Sequence, residues 1–204
     1  MIAIVNYGVG NLTSILNMHR RLGVDAVISS DPEEIARAEK ILLPGVGHFD
    51  SCMQNFNRSG LRPLIEKRVL EERIPVIGIC VGAQMMTRQS EEGKERGLGW
   101  IDADTIRFRL PSSDGLKVPH MGWADVRFTN PAADLWKGMP EEPRFYFAHS
   151  YHFKFDSEEY VSAWTFYGYE YVCAFYRENI CGVQFHPEKS HRYGMRVIAN
   201  FAAL

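Results

Sequence analysis

Cys80 stands between two glycines in Val76-Ile77-Gly78-Ile79-Cys80-Val81-Gly82-Ala83-Gln84. The apolar, β-branched run before it predicts a buried strand, and the residues after it predict the first turn of a helix. Glycines at minus two and plus two suit a nucleophile elbow, where a strained turn lifts one side chain above a sheet and small neighbours permit the bend. The N-terminus of the helix that follows favours a thiolate and a developing oxyanion. A buried core thiol is the competing reading, since free cysteine is among the most buried residue types.

A nucleophilic cysteine requires a base, and the base requires an orienting group. Both are offered by Gly182-Val183-Gln184-Phe185-His186-Pro187-Glu188-Lys189-Ser190. The run Ile180 to Phe185 predicts a strand with His186 and Glu188 at its end. Residues two apart in an extended segment point to one side, and Pro187 keeps His186 out of the α region. Glu188 then accepts from one imidazole nitrogen while the other faces Cys80. The chemistry of such a set is acyl transfer through a thioester. Gln84 lies one turn beyond Cys80 on the same helix face, within reach of a bound substrate.

The blocks Gly78 to Gln84 and Gly182 to Ser190, in this order and at this spacing, resemble the class I, triad-type glutamine amidotransferases. Further blocks resemble, within that family, the glutaminase subunits of imidazole glycerol phosphate synthases. They are Asn6-Tyr7-Gly8-Val9-Gly10-Asn11-Leu12, Pro44-Gly45-Val46-Gly47, Pro119-His120-Met121-Gly122-Trp123 and Tyr146-Phe147-Ala148-His149-Ser150-Tyr151. The resemblance runs from the first strand to the C-terminus. It implies a flavodoxin-like α/β fold and hydrolysis of L-glutamine to glutamate and ammonia by Cys80, His186 and Glu188, with no metal or organic cofactor. It implies an oxyanion hole built from the backbone N–H of Val81 and of Val46 or Gly47. It assigns substrate contacts to Gly45, Gln84, Glu92, His149, Ser150 and Tyr151. It also implies a heterodimer with a (β/α)8 cyclase subunit, with Pro119, His120, Met121, Gly122, Trp123 and Lys189 at the interface near the ammonia gate.

Some of these assignments have no support in the residues alone. Glu92 reads as a solvated acid, and Lys117 to Trp123 reads equally as a packed strand. Ala124 after Trp123, Trp100-Ile101-Asp102-Ala103 after Gly97-Leu98-Gly99, and the ending Lys189-Ser190-His191-Arg192-Tyr193-Gly194 resemble a paralogous branch that supplies ammonia to a synthase amidating surface-polysaccharide sugars. A cysteine hydrolase of similar fold is a further alternative, as is a non-enzymatic scaffold.

The elements that must hold this set alternate. Ile2 to Val5 is a strand, Tyr7 to Asn11 a glycine-rich turn and Thr13 to Leu22 a helix. Val24 to Ser29 is a strand, and Asp31-Pro32-Glu33-Glu34 starts a helix. Ile41 to Leu43 is a strand, a helix begins at Phe49, and Leu61 to Glu72 is a helix before the elbow strand. This β-α alternation predicts a parallel sheet with right-handed crossovers. From about Thr105 the period changes to two, over Val118 to Val126, Phe145 to Ala148 and Tyr160 to Thr165, which predicts an added antiparallel portion. Tyr193 to Phe201 is a closing helix with Met195, Ile198 and Phe201 inward.

The chain has 204 residues, 46% of them hydrophobic, and a net charge of −2. That suits one α/β domain spanning residues 1–204. No long charged run points to nucleic acid, and no apolar run approaches a membrane span. The start shows no signal-peptide pattern. The four cysteines, Cys52, Cys80, Cys173 and Cys181, form no C-x-x-C pair. Their scatter predicts a reducing cytoplasm rather than a disulfide frame or a zinc site.

Overall fold

A computed structural model describes residues 1–111, 115–130 and 133–204. The first half alternates as its sequence predicts. Strand β1 (Ile2–Val5) leads to helix α1 (Leu12–Arg21), β2 (Ala26–Ser29) to α2 (Pro32–Ala36), and β3 (Lys40–Gly45) to α3 (Phe49–Arg58). Asp31 caps α2, its carboxylate accepting from the Glu33 N–H at 2.9 Å. The helix predicted over Leu61 to Glu72 is shorter: α4 (Arg62–Glu66) widens into a π-helical turn over Lys67–Glu71. The inward spacing of Ile65 and Val69 is met by either form, so the apolar pattern does not distinguish them. Then come β4 (Val76–Cys80) and α5 (Val81–Met85).

The second half is mainly strand: β5 (Ala103–Arg107), β6 (His120–Phe128), β7 (Arg144–His149), β8 (Tyr151–Phe155), β9 (Val161–Tyr167), β10 (Tyr169–Arg177) and β11 (Ile180–Val183). Helix α6 (His191–Ala203) closes the chain. The described strands form one sheet in the order β2-β1-β3-β4-β11-β10-β9-β6-β7, with β8 pairing to β10 and β5 to β8. The five strands from β2 to β11 are mutually parallel. The remainder pair antiparallel and extend the sheet sideways.

This order decides what can meet. β1, β4 and β11 are buried along their whole length, as in a sheet covered on both faces. The carboxyl ends of β3, β4 and β11 lie side by side, with Gly45 opposite Cys80 and Val183 opposite Ile79. Ligands of open α/β sheets bind at such carboxyl ends. On the antiparallel side β7 places His149 directly opposite His120 on β6. Among the described residues no helix is long and apolar enough to cross a membrane.

Candidate active site

The elbow is present. Cys80 has φ 53° and ψ −115°, a combination that a residue with a Cβ rarely adopts. A Cβ on Gly78 would stand 2.6 Å from the Ala83 Cα, and one on Gly82 would stand 2.0 Å from the Leu43 carbonyl oxygen. Only glycine lets the turn close this tightly against β3. Helix α5 is a single turn, Val81 to Met85. A helix this short adds little dipole at the sulfur.

His186 and Glu188 meet as expected, but by a different route. His186 is extended, with φ −100° and ψ 98°, while Pro187–Lys189 forms one 3-10 turn. The fixed φ of Pro187 suits the start of a helical turn, and the Lys189 N–H closes it on the His186 carbonyl at 3.0 Å. The carboxylate is thus brought back to the ring across a turn, not along a strand. His186 Nδ1 lies 2.9 Å from Glu188 Oε1, with both side chains buried. The same imidazole lines one cavity with Cys80, whose sulfur acts on its protonation. Burial alone would lower the imidazole pKa, but the hydrogen bonds and charges of Cys80 and Glu188 override it and raise it to about 10. At neutral pH the ring is an imidazolium beside a sulfur nucleophile.

A cavity of about 370 Å³ opens over Cys80. Val46, Gly47, Val81, Gln84 and Glu92 line one part of it, and Pro119, Ala148, His149, Ser150, Tyr151, His186 and Lys189 the rest. A larger cavity, about 720 Å³, lies at the far end of β4 among Arg73, Tyr176, Glu178 and Asn200. It holds no nucleophile paired with a base, so the smaller cavity is the candidate site.

Several of the expected contacts take a more specific form. Glu92 is not a solvated acid: Glu92 Oε2 accepts from the Phe49 N–H at 2.8 Å, capping α3, which leaves Oε1 for a ligand. Asp50 secures the same loop by accepting from the N–H groups of Lys94 and Glu95, each at 2.9 Å. Gln84 Nε2 donates to the Tyr151 carbonyl at 3.2 Å and to Gln184 Oε1 at 3.1 Å, so only Gln84 Oε1 remains for a ligand. His149 lines the cavity with both nitrogens engaged, Nδ1 with the Tyr151 carbonyl at 2.7 Å and Nε2 with the Tyr171 hydroxyl at 3.1 Å. Gly45 does not line the cavity. Its bare backbone packs on the elbow, where a Cβ would come 2.3 Å from the Gly82 nitrogen.

The segment predicted to complete the oxyanion hole is clamped from behind. Tyr7 donates a short hydrogen bond to the Pro44 carbonyl, and Cys52 Sγ donates to the Val46 carbonyl at 3.5 Å. Burial raises both donors, the Tyr7 phenol well above its ordinary value and the Cys52 thiol to about 12, so both keep their protons. Gly47 at φ 98° lets the chain turn after Val46. Tyr7, Cys52 and Gln184 are functional neighbours that the sequence pattern does not single out for roles here. Gln184 alone carries a signal: it lies two residues before His186, on the same side of an extended run.

Strand alternation divides the segment Pro119–Trp123. Met121 and Trp123 point outward, 63% and 39% exposed. His120 points inward, stacked between Phe147 and Tyr167, and is not a surface contact. Trp123 stacks on His191 at 5.4 Å, and Lys189 Nζ sits 5.4 Å from the centre of the Tyr146 ring. Phe166, 63% exposed, adds to the outward apolar groups of the antiparallel portion.

Comparison with known proteins identifies the family. The family model "Glutamine amidotransferase class-I" matches residues 3–203. A Methanococcus maripaludis protein named imidazole glycerol phosphate synthase subunit HisH 2 is 46% identical over 203 residues, covering 98% of each chain. A Bdellovibrio bacteriovorus protein named imidazole glycerol phosphate synthase subunit HisH is 44% identical over 205 residues, covering 100% of each chain. A crystal structure titled as a glutamine amidotransferase superposes with a TM-score of 0.76 at 18% identity, covering 100% of both chains. The crystal structure of a glutamine amidotransferase from Thermotoga maritima gives 0.63 at 17% identity, covering 97% of this chain and 80% of that one. At those identities the two structures speak to the fold alone.

Proposed function

The chain belongs to the class I glutamine amidotransferases, and from that premise we propose that it is the glutaminase subunit of an imidazole glycerol phosphate synthase. It hydrolyses L-glutamine to glutamate and ammonia, and the ammonia passes to a cyclase subunit in histidine biosynthesis. The observation that carries this reading is the buried Cys80–His186–Glu188 set at the floor of a cavity of amino-acid size.

Cys80 sulfur attacks the side-chain amide carbon of glutamine. The C–S bond forms and the carbonyl π pair moves to oxygen, where the N–H groups of Val81 and of Val46 or Gly47 receive it. Each such donor is worth on the order of 3 kcal/mol in the transition state. His186 carries the proton that has left the Cys80 thiol and gives it to the departing nitrogen as the C–N bond breaks. The neutral imidazole then takes a proton from water, which attacks the thioester and releases glutamate and the sulfur. Glu188 fixes the ring tautomer and stabilises its cation. The free oxygen of Glu92 suits the substrate's ammonium group, and Gln84 Oε1, Ser150 and Tyr151 hold its other polar atoms.

Met121, Trp123 and Lys189 form the partner-facing rim in this reading. Large apolar and aromatic groups beside a cation are the composition of an interface core. The partner is a (β/α)8 cyclase, the assembly is a heterodimer, and the setting is the cytoplasm. The test is glutamate release from L-glutamine by the chain alone and with a cyclase subunit plus its nucleotide acceptor. Strong stimulation is the expected result. Glutamine turnover that the cyclase never stimulates would instead assign the chain to another synthase, the branch that Ala124 and the segment after Ser190 resemble.

A further inference from the structure

Cys80 is the end of a buried hydrogen-bonded chain that crosses the sheet. Gln184 Nε2 donates to Cys80 Sγ at 3.7 Å. Gln184 Oε1 accepts from Gln84 Nε2 at 3.1 Å, whose second hydrogen goes to the Tyr151 carbonyl at 3.2 Å. That carbonyl also accepts from His149 Nδ1 at 2.7 Å. His149 Nε2 lies 3.1 Å from the Tyr171 hydroxyl, and that hydroxyl lies 2.9 Å from His120 Nδ1. Gln84, Gln184, His149, Tyr171 and His120 are all buried.

The direction of every link is fixed. A carbonyl only accepts, so His149 carries its proton on Nδ1 and its lone pair on Nε2. Burial lowers both histidines, His149 well below its ordinary value and His120 to about 4, so both are neutral. The Tyr171 hydroxyl therefore donates to His149 and accepts from His120. Two donors, from His149 and Gln84, converge on the Tyr151 carbonyl. A proton cannot be relayed through that point, so the chain acts as a frame and not as a wire.

The frame decides which end of Gln184 meets the sulfur. Turning the Gln84 amide over would set its oxygen against the Tyr151 carbonyl. Gln84 must therefore present N–H to Gln184 Oε1, and Gln184 must present N–H to Cys80. An N–H stabilises a thiolate, and an amide oxygen in its place would repel it. We propose that Gln184 is the donor that holds the Cys80 sulfur in its attacking form, and that Tyr171, which does not line the cavity, is a positioning residue: through His149 it holds in place the Tyr151 carbonyl that orients Gln84 and, with it, Gln184. The inference rests on the glutaminase reading for the use of the sulfur, but not for its measurement.

The experiment follows the pH dependence of Cys80 alkylation by iodoacetamide, located by peptide mass, in the wild type, Gln184→Met, Tyr171→Phe and the double variant. Loss of the donor in Gln184→Met moves the midpoint of the profile upward and slows alkylation at neutral pH about tenfold. Tyr171→Phe moves it in the same direction while the aromatic packing is kept. Gln184→Glu, which keeps the shape and replaces the N–H by a carboxylate oxygen, raises the midpoint further. Because the residues act as one unit, the double variant is no slower than the slower single variant by more than about twofold. Folded variants with an unmoved midpoint, or a double variant showing the product of the two single losses, would overturn the proposal. Wild-type glutamate release is measured alongside. Shifted midpoints without any glutamine turnover support the frame and count against the glutaminase reading only.

Discussion

The elbow stores strain at the nucleophile, and two variants that differ by one methyl group measure it. Cys80 holds φ 53° and ψ −115°, a conformation that costs a residue with a Cβ on the order of 1–3 kcal/mol. Cys80→Gly and Cys80→Ala both remove the same buried sulfur, so its packing cancels between them. At an ordinary position alanine is the more stable by about 0.5–1 kcal/mol, because glycine loses more chain entropy on folding. Here the strain outweighs that deficit, and glycine should lead by about 1–2 kcal/mol. For a chain of this size each kcal/mol shifts the melting temperature by about 2–4 °C. The glycine variant should therefore melt roughly 2–8 °C above the alanine variant. Differential scanning calorimetry of the two proteins side by side is the assay, and neither should release glutamate. An alanine variant as stable as the glycine variant, or more so, would refute the reasoning that the turn at Cys80 is strained.

Other outcomes follow from the same geometry. Glu92→Gln keeps an acceptor for the Phe49 N–H but loses the charge facing a ligand ammonium, so steady-state assays should show KM for glutamine raised about tenfold with a small stability change; an unchanged KM would remove Glu92 from substrate binding. Tyr7→Phe leaves the Pro44 carbonyl without its donor, costing about 1–3 kcal/mol in denaturant unfolding and lowering kcat more than it changes KM; equal stability and kcat would show that the clamp is idle. Stability should also peak near neutral pH. Burial first, then mutual repulsion, keeps the folded His149 well below the usual imidazole range, and burial sets His120 at about 4 against an ordinary 6.5. The His120 contribution is full above 6.5 and lost as pH falls toward 4, and that of His149 is likewise full above 6.5 and lost at lower pH. His186 has the opposite sign: its hydrogen-bonded cation, with a pKa of about 10, stabilises fully below 6.5 and less as pH rises to 10. Denaturant titrations across pH should show the acid limb flattened in His120→Gln and the alkaline limb flattened in Glu188→Gln; limbs unmoved by these changes would contradict the assignment.

The parallel half of the fold is legible in the sequence because its signals are local. A β-branched run, a glycine turn and an amphipathic helix each announce themselves within a short window, and β1, β3, β4, α1 and α3 lie where those signals put them. The elbow is legible for the same reason, since Gly78 and Gly82 are demanded by contacts close in sequence or to the adjacent strand. The antiparallel half is legible only in kind. Period two shows that strands exist, but the pairing of β6 with both β7 and β9 depends on contacts far along the chain. His120 reads as a surface residue because its neighbours suit one, and strand alternation turns it inward. The 3-10 turn at Pro187 escapes such a reading because a proline both blocks the α region before it and starts a helical turn at its own position. Gln84 and Gln184 illustrate the limit most plainly. An amide in a sequence has no orientation, and only the Tyr151 carbonyl, supplied by another strand, decides which end each one presents.

Covalent labelling with a glutamine analogue that carries an electrophile at its γ-carbon tests the central claim, that this cavity takes glutamine to the sulfur of Cys80. Intact mass and peptide mapping would follow the reaction. The expected result is a single adduct on Cys80, slowed by excess L-glutamine and lost in Cys80→Ala, with the buried Cys52, Cys173 and Cys181 unmodified. No adduct, while iodoacetamide still alkylates Cys80, would show that the nucleophile is present but the site does not receive glutamine, and would contradict that claim.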